Sequence, residues 1–228
     1  MFRIGMWKIP KELYIFLPIV YIVTVFACSY LITSLDFYVE YVFSEHEKKL
    51  EASGEAPAEY EDMLEMTRMV IENPVYRMYG SSLVAFKRTR DLGIFILLHW
   101  LCFSFIMGKW LISRQYFDIL FIFTVILSIG VIFDTVIRII LLEVLPTTSL
   151  ATWLIGHRYF NPDNLFHFVL ARVEVFSLLY LLLISFNLSI SYHERPLFVF
   201  ILTVLCYLTL TILGFLLKFN FSLGPTGL

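Results

Sequence analysis

The sequence has little soluble character, no excess of one charge and only three cysteines. Charged residues are 16% of the 228 residues, hydrophobic residues are 59%, and the mean hydropathy is +0.81, which excludes an ordinary soluble domain. The net charge of −2 gives no field for nucleic acid. Cys28, Cys102 and Cys206 fall in separate apolar stretches, which favours small packing residues over a disulfide or metal framework.

Catalytic motifs are also absent. The sequence contains no Gly-x-Ser-x-Gly, Walker or dinucleotide fingerprint. His157, His167 and Glu174 do not have the spacing of a zinc site such as His-Glu-x-x-His. His99, alone in an apolar helix, is expected to be a hydrogen-bonded structural residue. We therefore predict a protein that is not an enzyme and that has no cofactor and no metal site.

What the chain does have is five long apolar stretches. A bilayer core about 30 Å thick is crossed by roughly 20 apolar helical residues, and backbone polar groups in lipid must be satisfied within the segment. The fold class predicted is therefore all-α, a single polytopic unit over residues 1–228 with five transmembrane helices. Their expected bounds are Leu13–Leu35, Gly93–Ile112, Phe117–Leu142, Phe168–Ile190 and Leu197–Leu217.

Orientation is predicted from the cations near the ends of these stretches. Arg3, Lys8 and Lys11 precede the first one, and the positive-inside rule places them in the cytoplasm. Five crossings then put the carboxyl end outside. The basic cluster Lys87-Arg88-Thr-Arg90 would lie on the outer side and argues against this orientation, whereas the remaining short loops agree with it. These features predict an integral membrane protein.

The one sizeable polar segment, residues 36–92, is rich in acids in its first half and is expected to be helical. After Pro57, apolar residues recur at spacings of three and four, which predicts one apolar stripe on a helix. A solvated helical hairpin on the bilayer surface explains this stripe. A surface that docks a partner explains it too, and its residues would be Met63, Met66, Met69 and Val70.

A second irregular segment, residues 143–167, joins the third and fourth stretches. Thr148 or Ser149 can cap a short helix there, and Asp163 or Asn164 can cap the next one. We expect the short helix to lie at the membrane interface.

Four charged residues are predicted to lie at membrane depth in one leaflet. Asp134 and Arg138 are four residues apart on one helix face, and Arg172 and Glu174 are expected one to two turns inside the fourth helix. Such charges are costly in lipid and face the bundle interior in pairs, so we expect Asp134–Arg138 first and Arg138–Glu174 second. This polar cluster is either a salt-bridge network that fixes the register of two helices, or a functional site: a proton or ion relay, or a headgroup-binding pocket.

The order of motifs resembles a known group. An acidic loop ends in Ile71-Glu-Asn-Pro74, Thr147-Thr-Ser-Leu-Ala151 follows the third helix, and Leu170-Ala-Arg-Val-Glu-Val-Phe176 and Ser191-Tyr-His-Glu-Arg195 border the fourth. This layout resembles the bacterial branch of the Yip family, five-helix membrane domains named for Rab-interacting proteins. Glu174 and Phe176 match the family's acidic-apolar-Phe pattern. The Asp-Leu-Tyr-Gly-Pro motif of eukaryotic members is absent, so GTPase binding is not implied.

Two functions are compatible with these features. The first is a non-enzymatic membrane protein that binds a protein partner, further copies of itself or membrane lipids, and so organises an assembly. The second is a small permease or channel-like subunit with the polar cluster lining its path. The five helices show no inverted repeat and no pair of midspan breaks, which favours the first.

Overall fold

The computed structural model describes residues 2–4, 7–9, 13–53, 65–66, 68–69, 72–108, 114–142, 148–155, 164–217 and 223. Within these residues the fold is almost entirely helical. The exception is an amino-terminal hairpin in which β1 (Phe2–Ile4) pairs antiparallel with β2 (Trp7–Ile9). The helices are α1 (Leu13–Thr33), α2 (Asp36–Ser53), α3 (Pro74–Ile106), α4 (Arg114–Ile122), α5 (Thr124–Leu141), α6 (Leu150–Leu154), α7 (Leu165–Arg172), α8 (Val175–Tyr192) and α9 (Pro196–Leu216).

Five of the described helical segments are long and apolar enough to cross a membrane, as predicted. They are Phe16–Thr33 in α1, Pro74–Ile106 in α3, Tyr116–Leu141 through α4 and α5, Val175–Tyr192 in α8 and Pro196–Leu216 in α9. The chain therefore has the architecture of an all-α multi-pass membrane protein.

The spans form a closed ring. Helix α1 packs against α3, α4 and α5; α5 packs against α8, α8 against α9, and α9 returns to α3. Large side chains fill the centre of this ring with little or no exposed surface, among them Tyr21, Phe95, Leu127, Tyr180 and Tyr207. Apolar residues on the outside of the same helices remain exposed, as expected for a surface that faces lipid tails.

The second span differs from its predicted bounds. It begins at Pro74 and not at Gly93, so the last part of the expected polar loop belongs to this span. The Asn73 side chain accepts a hydrogen bond from the Val75 amide at 2.9 Å, and Pro74 suits the first helical position because its missing donor costs nothing there. The helix ends at Ile106 and not at Ile112, since Gly108 follows with a φ of +61°, the conformation that closes a helix.

The fourth span also differs. A continuous helix over residues 168–190 was expected, but α7 ends at Arg172 and α8 starts at Val175. Val173 and Glu174 between them are extended. The Leu150 amide donates to the Val173 carbonyl at 2.9 Å. The start of α6 therefore provides a hydrogen-bond partner for one of the backbone groups at this break. Arg172 is therefore the last residue of α7, and Glu174 lies in the break and not inside a helix.

Candidate functional site

The centre of the candidate site is the predicted ion pair on α5. The Arg138 Nε lies 2.7 Å from the Asp134 Oδ2, and the two side chains are each 2% exposed. The spacing of four residues brings them together on one turn of the helix. The other oxygen of Asp134, Oδ1, accepts a longer hydrogen bond of 3.4 Å from the Thr148 hydroxyl, so the segment before α6 closes over the pair.

The two residues at the helix break join this site. Glu174 is completely buried and Arg172 is 8% exposed. Glu174 lies within electrostatic range of both Arg138 and Arg172, and the Ser177 hydroxyl donates to its Oε2 at 3.4 Å. The Tyr207 hydroxyl donates to the Arg172 carbonyl at 2.5 Å. The four residues of the predicted cluster are thus brought together.

Sequence reasoning missed two members, Arg88 and Asp91, which α3 contributes. They are 5% and 1% exposed, and Arg88 lies within electrostatic range of Arg138 and Arg172. Asp91 also forms an ion pair with its neighbour Arg90: the Arg90 Nη2 is 2.8 Å from the Asp91 Oδ1. The sequence predicts a polar loop over residues 36–92. That prediction places the basic cluster around Arg88 outside the second span and not within it. The signal available was the spacing of Ser81, Ala85, Arg88 and Leu92, which form one helical face.

We call these six residues the ionic cluster. It consists of Arg88, Asp91, Asp134, Arg138, Arg172 and Glu174, all of them buried. The cluster contains three guanidiniums and three carboxylates. Charged groups stay ionised in a low-dielectric interior only when groups of opposite charge lie close to them, and the equal numbers meet this requirement. The cluster joins α3, α5 and the α7–α8 break, and so connects three of the five spans.

An aromatic layer lies directly beneath the ionic cluster. Asp91, Phe95, His99 and Phe103 follow each other at intervals of four on α3, and all four are buried. The Phe95 ring centroid is 6.2 Å from that of Tyr180 and 6.4 Å from that of Tyr207. These three rings separate the ionic cluster from the polar groups around His99.

His99 has the structural role that was predicted. Its ring is completely buried, with Nδ1 hydrogen-bonded to the Tyr116 hydroxyl and Nε2 2.9 Å from the Thr203 hydroxyl. Both ring nitrogens are therefore satisfied by neighbouring spans, and His99 links α3 to α4 and α9.

A pocket opens beside the ionic cluster, between α1, α2, α3 and α5. Its volume is about 460 Å³ including the open mouth. The polar part of the wall includes Arg88, Asp134 and Arg138. The lining residues are Val25, Cys28, Ser29, Ile32, Thr33, Tyr38, Val84, Arg88, Val131, Asp134, Thr135 and Arg138.

The predicted docking stripe is only partly within the described residues. Met66 and Met69 are 66% and 62% exposed, whereas Met63 and Val70 lie outside the residues that the structure describes. Arg68, close to them in sequence, forms an exposed ion pair with Glu72 at 3.0 Å.

The three cysteines were expected to form no disulfide framework. Cys28, Cys102 and Cys206 are free thiols, although Cys102 and Cys206, distant in sequence, lie within hydrogen-bonding reach of each other. Among the described residues, His, Cys, Asp and Glu side chains form no group of three that could hold a metal ion.

Comparison with known proteins gave no assignment. No family model, no curated protein and no solved structure matches the chain.

Proposed function

We propose that this chain is a non-enzymatic membrane protein that acts by binding: it holds a protein partner or further copies of itself, together with membrane lipids, in an assembly. We place it in a bacterial inner membrane with its amino terminus in the cytoplasm and its carboxyl terminus outside. The resemblance to the bacterial branch of the Yip family belongs to this proposal and is supported by the order of its motifs.

One observation supports binding over transport. The six charges of the ionic cluster lie at one end of the bundle, and the Phe95, Tyr180 and Tyr207 rings fill the centre beneath them. Asp118, also buried, lies near the opposite end of the third span and is separated from the cluster by this packed layer. A permeation path needs polar groups or water along its length. The packed rings interrupt such a path, while the matched charges tie α3, α5 and α8 together.

A flux assay tests the alternative, a permease or channel-like subunit. We expect proteoliposomes that contain the full chain to show no saturable proton or ion flux above protein-free liposomes. Asp134→Asn should behave like the wild type in this assay. Saturable flux by the wild-type chain would overturn the proposal in favour of transport, and its loss in an Asp134→Asn protein that is still folded would assign the path to the ionic cluster.

A crosslinking experiment tests the partner-binding half. We expect a photo-crosslinking residue at Met69, on the exposed stripe, to yield a discrete product in native membranes. The same residue at Leu205, which is 55% exposed on the lipid-facing side of α9, is the matched control and should yield none. No product at Met69, or the same products at both positions, would contradict a docking role for the stripe.

A further inference from the structure

The pocket beside the ionic cluster has an unequal charge balance. The whole cluster is neutral, but the pocket wall includes two guanidiniums, those of Arg88 and Arg138, and only the carboxylate of Asp134. The nearby acids Asp91 and Glu174 are not part of the wall. The pocket itself therefore carries a formal charge of about +1, which favours an anion.

The hydrogen-bonding groups in the wall can be sorted into donors and acceptors. Thr33 and Thr135 donate their hydroxyl protons to the carbonyls of Tyr30 and Val131, at 3.0 and 2.8 Å, and so have only lone pairs to offer. The guanidiniums, which present several N–H groups in a planar fork, are suited to phosphate oxygens.

Tyr38 supplies a further donor. Burial raises the pKa of its phenol above the usual value, although the charge of Arg138 acts in the opposite direction. The hydroxyl therefore stays protonated at neutral pH. It belongs to α2, just beyond the end of the first span.

The position of the pocket matches a lipid headgroup. Ile32 and Thr33 are the last two residues of α1, and Tyr38 follows at the start of α2, so the mouth lies where the hydrocarbon core gives way to headgroups. Val25, Ile32, Val84 and Val131 provide an apolar wall beside the charges.

We propose that this pocket binds the phosphate of an anionic amphiphile, with Arg88 and Arg138 contacting the phosphate oxygens and an acyl chain lying along the valine-rich wall. The proposal rests on the proposed binding function and names one of its ligands. A phospholipid and a soluble phosphate share the recognised chemistry, and the location at the interface favours the phospholipid.

The test is lipid binding to the purified full chain in detergent, measured by native mass spectrometry and by the shift in unfolding temperature. Three probes separate the possible sources: dioleoylphosphatidylglycerol, dioleoylglycerol (the same chains without phosphate) and inorganic phosphate. We expect the phospholipid to bind and the diacylglycerol to bind much more weakly.

Two pairs of variants locate the site. Val84→Phe fills the pocket without changing its charge, and Leu83→Phe makes the same kind of change at a neighbouring residue that is 42% exposed and does not line the pocket. Arg138→Lys keeps the charge beside Asp134 but loses the planar fork; its control is Lys87→Gln, an exposed cation outside the wall. We expect Val84→Phe and Arg138→Lys each to weaken phospholipid binding about tenfold or more, and both controls to leave it unchanged.

Two results would overturn the proposal: equal binding of the phospholipid and the diacylglycerol, or wild-type phospholipid binding by both pocket variants. Inorganic phosphate that binds alone as tightly as the phospholipid would uphold a phosphate site and overturn the lipid as its occupant. The flux and crosslinking measurements do not depend on the pocket. If the chain bound no phospholipid but still showed no solute flux and still gave the Met69 crosslink, the proposed function would stand and only the lipid proposal would fall.

Discussion

At the scale of single residues, the buried charges of the bundle are stabilised by oppositely charged side chains close to them. Removing an ion from water into a low-dielectric interior costs several kcal/mol, and the 2.7 Å contact between Asp134 and Arg138 offsets part of this cost. The sequence was sufficient to predict this pair, because a spacing of four on an apolar helix leaves few other arrangements. It was not sufficient to predict Arg88 and Asp91, whose burial depends on where α3 begins.

The ion pair makes a prediction about stability. Asp134→Asn leaves the Arg138 guanidinium buried without the carboxylate, so we expect the free energy of unfolding to fall by about 3–5 kcal/mol. The double variant Asp134→Leu, Arg138→Met removes both charges and should recover most of the loss. Unfolding of the purified protein in mixed micelles measures both. Equal stability of the single variant and the wild type would contradict the role given to the pair.

Gly130 makes a second prediction at this scale. A Cβ atom added there would lie 2.6 Å from the Cβ of Phe176, so α5 and α8 would have to separate. We expect Gly130→Ala to destabilise the protein by about 1–3 kcal/mol. Gly93→Ala is the control, because a Cβ at Gly93 meets nothing within 4 Å and alanine favours the helix. A Gly130→Ala protein as stable as the Gly93→Ala protein would argue against this close contact.

Helices differ in how well the sequence specifies their ends. The first and last spans, Leu13–Thr33 and Pro196–Leu216, are close to prediction because polar residues or proline adjoin an apolar run. The second was predicted too short at its start because hydropathy alone does not distinguish a polar helix end from a loop. The break at Val173 and Glu174 could not be predicted, since it depends on the α6 segment, which contacts it from elsewhere in the chain.

The contact between α6 and this break can be tested by one substitution. Leu150→Pro removes the amide that donates to the Val173 carbonyl. Its ring suits the first residue of a helix, and the preceding Ser149 already has the extended conformation (φ −85°, ψ 151°) that proline requires. We expect a loss of about 1–3 kcal/mol in the free energy of unfolding, since the Val173 carbonyl, only partly exposed, loses its partner.

The matched control is Leu165→Pro, which places the same ring at the first residue of α7. Asn164 before it is also extended (φ −90°, ψ 118°), and the Leu165 side chain is 40% exposed. Thermal unfolding in detergent should separate the two variants. An equal effect of both prolines would show that the α6 contact does not hold the break.

At the scale of the whole molecule, the five described spans form a ring, and the ionic cluster lies at one end of it. The number of spans followed from the sequence because a bilayer sets the length of an apolar helix. The order in which the spans pack around the ring could not be predicted. Each span is apolar on most of its faces, so its sequence does not indicate which neighbouring span it contacts. Polar side chains such as His99, with partners on two other spans, define those contacts.

Five crossings require the segment before α3 and the turn between α8 and α9 to lie on opposite sides of the membrane. Cysteine labelling in a variant without the native thiols tests this most directly, with Glu72→Cys reporting the first position and Arg195→Cys the second, both exposed. We expect a membrane-impermeant maleimide added to intact cells to label Glu72→Cys alone, and Arg195→Cys to react only once the membrane is opened. Labelling of both positions from the same side would contradict the five-span arrangement on which the ionic cluster and the pocket depend.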